Sequence, residues 1–320
     1  MHPYGQPPPY PTQPPPPQGW LLPTQPGLRY DHLARNQARR PWQPIVGTVL
    51  VGIAFFVVGL VVLFAGVAIA LIAGLPNPLG ENGEFTGDPV FSMALLLLSI
   101  AAVLPVVYGT AAAIQRRRPG TLSSVAGRLR WGWMAQCVGV AVVALVLGQA
   151  AQYLALSAAG LDTSDMFGWA GWSGFLPALI VIVVLVPFQA ATEEYIFRGW
   201  FIQAVGTYAR NPVWSILIGS VLFASLHGYS VAGLVDVFSF GVVMGILSVR
   251  TGGLEAGIAM HVVNNMLAFG LSAASGKLNE ALQQGEVPWQ SLAGTVVQLG
   301  VFAGGVLLLA KKRAVATVSG

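Results

Sequence analysis

Long apolar runs constrain this chain of 320 residues more than any other feature. A run of about 20 apolar residues is what a helix needs to cross a bilayer, and the stretch from Phe175 to Phe188 contains no charged side chain. Hydrophobic residues make up 55% of the chain and charged residues only 9%, whereas a soluble domain carries roughly 25% charged residues. The sequence therefore predicts an all-α, polytopic membrane protein built as a bundle of helices.

About eight transmembrane helices are predicted from these runs. They lie at about 45–75, 91–114, 132–159, 173–196, 213–229, 231–249, 254–273 and 289–310. Basic and acidic loops alternate along the chain: residues 116–118 and 311–313 are basic, whereas Glu81, Glu84 and Asp88 follow the first span. Because positively charged loops stay on the cytoplasmic side, we expect both termini in the cytoplasm.

Proline dominates the chain before the first span. Residues 1–43 include the block from Pro14 to Pro17, and such a density of proline opposes both helix and sheet. We therefore predict a disordered, proline-rich cytoplasmic tail. Two interpretations stay open for it: a docking site for a partner protein with an aromatic groove, or a solvated tether without a specific role.

Polar side chains that are energetically unfavourable inside a bilayer interrupt three of the later apolar runs. They are Glu193, Glu194, Arg198, His227, His261 and Asn265. A charge deep in a bilayer costs about 2.5–3.5 kcal/mol, so these groups need partners or a function. Glu194 and Arg198 are four residues apart and lie on one face of a helix, where an ion pair forms easily. Taken singly, that pair is explained as a structural lock and each histidine as a hydrogen bond between helices.

Taken together, the six side chains supply every role that amide hydrolysis requires. A glutamate can take a proton from water, and a histidine can hold that water or protonate the leaving amine. A second histidine and an amide can donate hydrogen bonds to the developing oxyanion. We expect the six groups, from three different spans, to converge on one water-handling site inside the membrane.

The sequence also predicts the structural roles of three further residues. Pro187 precedes the carboxylate pair by six residues and is expected to kink or break its helix. Asp236 is expected to cap a helix start, and Glu255 to lie at the membrane interface. The alternative for both acids is that they line the same cavity as the pair.

The polar residues also form an ordered set of motifs. Glu193-Glu194-x-x-x-Arg198, Phe223-x-x-x-His227 and His261-x-x-x-Asn265 resemble the motif set of the CAAX prenyl endopeptidase and bacteriocin-processing (CPBP, or Abi) family of intramembrane proteases. The resemblance covers about residues 180–270 and includes the flanking Thr192 and Gly199. It does not reach the proline-rich tail and is weak over the first three spans.

The resemblance implies a role for each polar residue. Glu193 activates a water molecule that His227 shares, and the Glu194–Arg198 pair shapes and braces the site. His261 and Asn265 stabilise the oxyanion. The implied function is an intramembrane endopeptidase that hydrolyses a peptide bond of a membrane-associated or lipidated peptide, which in the family's eukaryotic members is a prenylated tail.

Two possibilities stay open for the cofactor: none, or zinc. The family is widely named a metalloprotease, yet its mechanism can also be interpreted as metal-free and glutamate-dependent. The helical zinc motif His-Glu-x-x-His does not occur in this sequence, which favours the metal-free mechanism. Glu193, His227 and His261 could still form a His₂Glu zinc site from separate spans.

The chain thus divides into four predicted parts. The tail at 1–43 precedes the first membrane helices at 44–172, the protease-like core spans 173–273, and 274–320 holds the last span with a basic C-terminus. The expected partners are the lipid bilayer, a membrane-associated or lipidated peptide substrate and a protein that binds the tail, without nucleic acid. The expected location is a bacterial plasma membrane.

Two other functions remain open. A secondary transporter or proton relay also uses carboxylates and histidines inside the membrane, although the sequence halves show no internal repeat of the kind common in transporters. A non-catalytic membrane scaffold would act through residues 1–43. Substitution of Glu193 separates this scaffold from the enzyme, since only the enzyme depends on that carboxylate.

Overall fold

The structure is a computed structural model that describes residues 19–75, 86–163, 166 and 168–320. Eleven α-helices and one π-helix make up most of these residues, with short 3₁₀ turns and isolated bridges but no strand within them. The helices are α1 Trp42–Ile72, α2 Pro89–Ala101, α3 Leu104–Ala113, α4 Trp131–Ala158, α5 Trp172–Glu194, a π-helix Tyr195–Phe201, α6 Ile202–Gly206, α7 Val213–Ser225, α8 Val231–Thr251, α9 Glu255–Ala274, α10 Leu278–Gln283 and α11 Leu292–Lys312. Glu81 and Glu84 of the predicted acidic loop lie outside the described residues.

Seven helical stretches within the described residues are long and apolar enough to cross a membrane. In this count α2 joins α3, and α5 joins the π-helix and α6. The fifth predicted span, 213–229, corresponds to α7, which has only 13 residues and is therefore about 20 Å long. The all-α bundle is confirmed, with seven stretches among the described residues that are long enough to cross a membrane, and the protein is an integral membrane protein.

Two of the predicted spans differ in detail from the observed helices. The second is interrupted by a turn at 102–103, because α3 restarts with Pro105 in its first turn, where the missing N–H of proline is tolerated. The prediction that the helix breaks at Pro187 is wrong, since α5 continues through this proline to Glu194. The irregular backbone lies instead in the π-helix Tyr195–Phe201, a form of helix that is frequent at functional sites.

Two of the helices that carry the polar motifs, α5 and α9, pack against each other. Helix α5 packs between α2 and α9, and α9 also contacts α4. Helices α7 and α8 pack closely because Gly241 and Gly245 carry no side chain: an added Cβ would lie 2.9 Å from Ser220 and 3.0 Å from Ile216. Small residues have this role at the contacts between membrane helices.

Residues 19–41, which we call the N-terminal strap, are folded against one end of the bundle. Tyr30 is fully buried and its hydroxyl donates to the carbonyl oxygen of Leu122 at 2.5 Å. Burial raises the pKa of the Tyr30 phenol well above its usual value, so the hydroxyl keeps its proton and remains a donor. Arg35 donates to the carbonyl oxygens of Gly206 at 2.7 and 2.9 Å and of Ala209 at 2.7 Å.

The predicted disorder is therefore wrong for residues 19–43. The physical reason is that the dense proline block ends at Pro17, after which Tyr30 and Leu33 supply buried apolar contacts. Residues 1–18 of the predicted tail lie outside the described residues.

The C-terminus lies at the same end of the bundle as the strap. The backbone N–H of Gly27 donates to the carbonyl oxygen of Ser319 at 2.8 Å, and the Ser319 N–H donates to that of Leu28 at 2.9 Å. The loop between α3 and α4 joins this end through the Leu254 N–H, which donates to the carbonyl oxygen of Ser123 at 2.9 Å. The two ends of the described chain are thus held side by side.

Candidate active site

Four charged or titratable side chains meet where α5 passes into the π-helix. Glu193 and Glu194 are the last residues of α5, Arg198 lies in the π-helix, and His261 faces them from α9. All four are buried, with Glu194 inaccessible and Glu193 the most accessible at 8%. We call these four residues the Glu–His cluster. Their convergence was predicted from the sequence.

Glu194 is the centre of the cluster. Its Oε1 accepts a hydrogen bond from Arg198 Nη1 at 3.0 Å and lies 2.9 Å from His261 Nδ1. The expected helical pair of Glu194 and Arg198 therefore forms, and it extends to a third group on a different helix. Two polar contacts on one inaccessible carboxylate connect α5, the π-helix and α9.

Gly257 lets α9 approach this carboxylate and was not predicted as a site residue. An added Cβ at this position would lie 2.5 Å from Glu194 Oε2. Gly257 precedes His261 by four residues, so both lie on the face of α9 that meets α5. That spacing could have been used in the sequence analysis, because a glycine one turn before a functional histidine indicates that another helix packs closely against that face.

His261 lies between two carboxylates. Its Nε2 is 3.3 Å from Glu193 Oε2, while its Nδ1 faces Glu194. A neutral imidazole carries only one N–H, so two ionised carboxylates cannot both accept from it. His261 can therefore donate to only one of the two carboxylates when its ring is neutral, and to both when the ring is an imidazolium.

Aromatic rings close the cluster off from its surroundings. The Arg198 guanidinium lies 4.3 Å from the centre of the Phe223 ring and 5.6 Å from that of Phe240, and the His261 ring is 5.1 Å from Phe240. Such walls lower the local dielectric and strengthen the polar contacts inside. Phe223 belongs to a predicted motif, whereas Phe240 carries no signal in the sequence.

His227 lies beside the cluster rather than in it. It follows the end of α7, half-buried, with its Nδ1 2.9 Å from the carbonyl oxygen of Phe223 and its ring 4.9 Å from the Phe223 ring. In the neutral ring Nδ1 must be the donor of this contact, which leaves Nε2 as an acceptor. Among the described residues no hydrogen bond joins His227 to Glu193 or His261.

Asn265 forms a second polar group one turn beyond His261. Its Nδ2 donates to Gln189 Oε1 at 3.2 Å, and Gln189 is buried four residues before Glu193 on the same side of α5. Gln189 was not predicted, although its spacing from Glu193 is a signal that sequence reasoning could have used. Asn265 contacts this glutamine and not the Glu–His cluster.

The predicted zinc ligands are not gathered into one group. Within the described part of the chain, no three His, Cys, Asp or Glu side chains are placed so that they could hold a metal ion. The Phe223 ring adjoins both histidines, at 4.9 Å from His227 and 6.0 Å from His261. Glu193, His227 and His261 as arranged here do not fit a His₂Glu zinc site.

The two other acids lie away from the cluster. Asp236 accepts from the Thr295 hydroxyl at 2.8 Å, and it does not cap a helix because α8 begins five residues earlier, at Val231. Glu255 begins α9, where it is inaccessible and binds Arg130 through contacts of 2.7 and 2.8 Å; its expected position at the membrane interface stays a prediction. Both have a partner of their own, and neither lines the site.

Comparison with known proteins points to one family. Residues 172–267 match the family model of type II CAAX prenyl endopeptidase Rce1-like proteins. A stretch of 100 residues is 35% identical to the uncharacterized protein YyaK of Bacillus subtilis (strain 168), and it covers 29% of this chain and 33% of that protein. The match thus spans about a third of the relative's length, and no solved structure matches. The resemblance predicted from the three motifs is therefore confirmed over residues 172–267, where the chain is similar to the type II CAAX prenyl endopeptidase Rce1-like family.

Proposed function

We propose that this protein is an intramembrane endopeptidase that hydrolyses a peptide bond of a membrane-associated or lipidated peptide. The observation that carries the proposal is the His261 imidazole held between the Glu193 and Glu194 carboxylates in a buried site. The site lies within the segment that matches an endopeptidase family. A buried base, a proton and a fixed cation are the components that metal-free amide hydrolysis requires.

Glu193 is the general base in this mechanism. It is the more accessible of the two carboxylates, at 8% against 0% for Glu194, and its Oε2 lies 3.3 Å from His261 Nε2. With His261 protonated, the charges of Glu193, Glu194, Arg198 and His261 sum to zero, which suits a site removed from water. Glu193 is then ionised and able to accept a proton from water.

The chemical step follows from the order of proton transfers. Glu193 takes a proton from water while the water oxygen bonds to the carbonyl carbon of the peptide, and the carbonyl oxygen becomes an oxyanion. Once Glu193 is neutral, the Nε2–H of His261 is released from it and donates to the oxyanion. The proton then passes from Glu193 to the leaving nitrogen as the carbon–nitrogen bond breaks, which gives a carboxylic acid and an amine.

Two neighbouring side chains complete the site. The Nε2 of His227 is an acceptor when Nδ1–H donates to the Phe223 carbonyl, so it can hold the attacking water by its second proton. The amide group of Asn265 has two N–H donors, one of which is bound to Gln189. The other is left to support the oxyanion beside His261.

The location follows from the arrangement of the chain ends. We place both termini on the cytoplasmic side of a bacterial plasma membrane, since the basic residues 116–118 and 311–313 favour that side. The backbone contacts between Gly27 and Ser319 support a common side for the two ends. The strap and the last residues of α6 then lie at the cytoplasmic surface.

The experiment uses the full chain in proteoliposomes with a set of membrane-associated peptides, prenylated and unprenylated. Mass spectrometry identifies new peptide termini. Glu193→Ala is expected to lower cleavage by at least about 10²-fold with unchanged thermal unfolding, and Glu280→Ala, which removes an exposed carboxylate, is expected to cleave normally. Cleavage by Glu193→Ala at the wild-type rate would falsify the proposal.

A proton relay or secondary transporter is the second candidate, because an imidazole in contact with the carboxylates of Glu193 and Glu194 is also what a relay needs. Proton or solute flux through the same proteoliposomes tests it. Flux that Glu193→Ala abolishes, without any peptide cleavage by the wild-type chain, would favour the transporter over the endopeptidase.

A further inference from the structure

A second site lies at the start of the first span, away from the Glu–His cluster. The strap, the first turn of α1 and the end of α3 line an open cavity of about 400 Å³, a volume within the range of small-ligand sites. Three arginines line it, Arg39, Arg40 and Arg116, together with Trp20 and Trp42. None of the described residues that line the cavity is acidic, so its charge is uncompensated.

The arginines differ in how they are held. The Arg116 guanidinium stacks on the Trp20 ring at 4.8 Å, and its Nε donates to the Trp20 carbonyl oxygen at 3.1 Å. Arg39 and Arg40 are exposed, and the side chains of both make no hydrogen bond or ion pair with other described residues. One guanidinium is therefore fixed while two remain available to a ligand.

The position of the cavity indicates which kind of anion it can bind. Trp42 begins α1, a helix of 31 residues, so the positive end of the helix dipole adds to the arginines. Exposed tryptophans at the end of a membrane span mark the level of the lipid headgroups. Clustered guanidinium groups bind phosphate oxygens in pairs, and phosphate is the anion that headgroups present at this depth.

We propose that this cavity binds the phosphate group of an anionic ligand, with the phospholipid headgroups of the adjoining leaflet as its source. The site is independent of the proposed peptide hydrolysis, because none of its residues touches the Glu–His cluster. The strap connects the two regions, since Arg35, four residues before Arg39, binds the carbonyl oxygens of Gly206 and Ala209 just after the site-bearing helix.

Native mass spectrometry of the full chain in detergent measures this binding. The probes are phosphatidylglycerol, phosphatidylcholine and inorganic phosphate. We expect one saturable phosphatidylglycerol site with much weaker binding of phosphatidylcholine. Inorganic phosphate that binds more tightly than phosphatidylglycerol, at the same residues, would keep the phosphate site but move its source from the lipid to a soluble ligand.

Variants that keep the positive charge distinguish a specific phosphate site from general electrostatic attraction of anionic lipids. Arg40→Lys keeps the charge but loses the planar pair of donors, and it is expected to weaken phosphatidylglycerol binding by about tenfold. Arg118→Lys is the matched control, because Arg118 is exposed and lies outside the cavity, and it is expected to bind normally. Equal affinity of both variants and the wild-type chain, or no saturable binding of any probe, overturns the proposal.

Discussion

Gly257→Ala tests the geometry of the Glu–His cluster without removing any of its polar groups. The added Cβ would lie 2.5 Å from Glu194 Oε2 and 3.3 Å from its Cδ. An ordinary contact needs at least 3.4 Å, so the carboxylate must move by roughly 0.9 Å or α9 must move away. Because Oε1 of the same carboxylate binds Arg198 and His261, either movement disturbs both contacts.

The expected magnitude has two parts. Overpacking of a rigid interior costs about 1–3 kcal/mol, and the gain from replacing a helical glycine by alanine, about 0.5–1 kcal/mol, offsets part of it. We therefore expect a small net loss of stability. Displacement of a catalytic group by about 1 Å costs about 10²-fold in rate, so the loss of activity should exceed what the change in stability explains.

The assay compares Gly257→Ala with Gly270→Ala in the same helix. An added Cβ at Gly270 meets no atom within 4 Å, so this control should cleave normally and be slightly more stable. Thermal unfolding gives the stability of each variant, and cleavage of a peptide identified in the proteoliposome screen gives the rate. A Gly257→Ala variant with the wild-type rate and stability would refute the close contact between α9 and Glu194.

Two further predictions concern the end of the bundle that holds the strap. Gly206→Ala places a Cβ 1.9 Å from the backbone carbonyl oxygen of Asp31, so the strap should detach, and limited proteolysis should cleave within residues 19–41 faster than in the wild-type chain; unchanged cleavage contradicts the packed strap. Arg130→Met leaves the inaccessible Glu255 carboxylate without its cation, which should lower the free energy of unfolding by about 3–5 kcal/mol. The double variant Arg130→Met/Glu255→Leu should recover most of that loss in denaturant unfolding, and an equally unstable double variant would contradict the account.

The membrane bundle and the convergence of polar residues could be predicted because both depend on local pattern. A run of about 20 apolar residues has few alternatives to a membrane helix. Glu193 and His261 are so costly inside such runs that mutual contact was the simplest expectation. The observed 3.3 Å separation of Glu193 Oε2 and His261 Nε2 agrees with that reasoning.

The folded strap could not be predicted because its stability depends on residues far away in the chain. Tyr30 is buried against Leu122, and Ser319 binds the backbone near Leu28. Proline-rich composition describes only local backbone preference, so it cannot predict contacts with residues that are distant in the chain. The prediction of a 43-residue disordered tail extended a valid local argument past Pro17, where the dense prolines end.

The finer geometry of the site was also outside the reach of local pattern. The π-helix that carries Arg198 replaced an expected break at Pro187, because the neighbouring helices of a membrane bundle can tolerate a missing backbone hydrogen bond. The Phe240 ring of α8 meets the His261 ring edge-to-face, and its identity as a site residue follows only from the packing of that helix. The contact of His227 Nδ1 with the backbone carbonyl oxygen of Phe223 was not predicted, and the water that His227 shares with Glu193 stays a prediction.

The central claim is that Glu193 and His261 act as one unit in peptide-bond hydrolysis, and a double-mutant cycle on the cleavage rate tests it most directly. The cycle compares Glu193→Gln, His261→Asn and the variant that carries both, at matched thermal stability. The account predicts that the double variant is about as slow as the slower single variant, since either change removes the shared proton path. Losses that multiply would show that the two side chains act independently and would contradict the account.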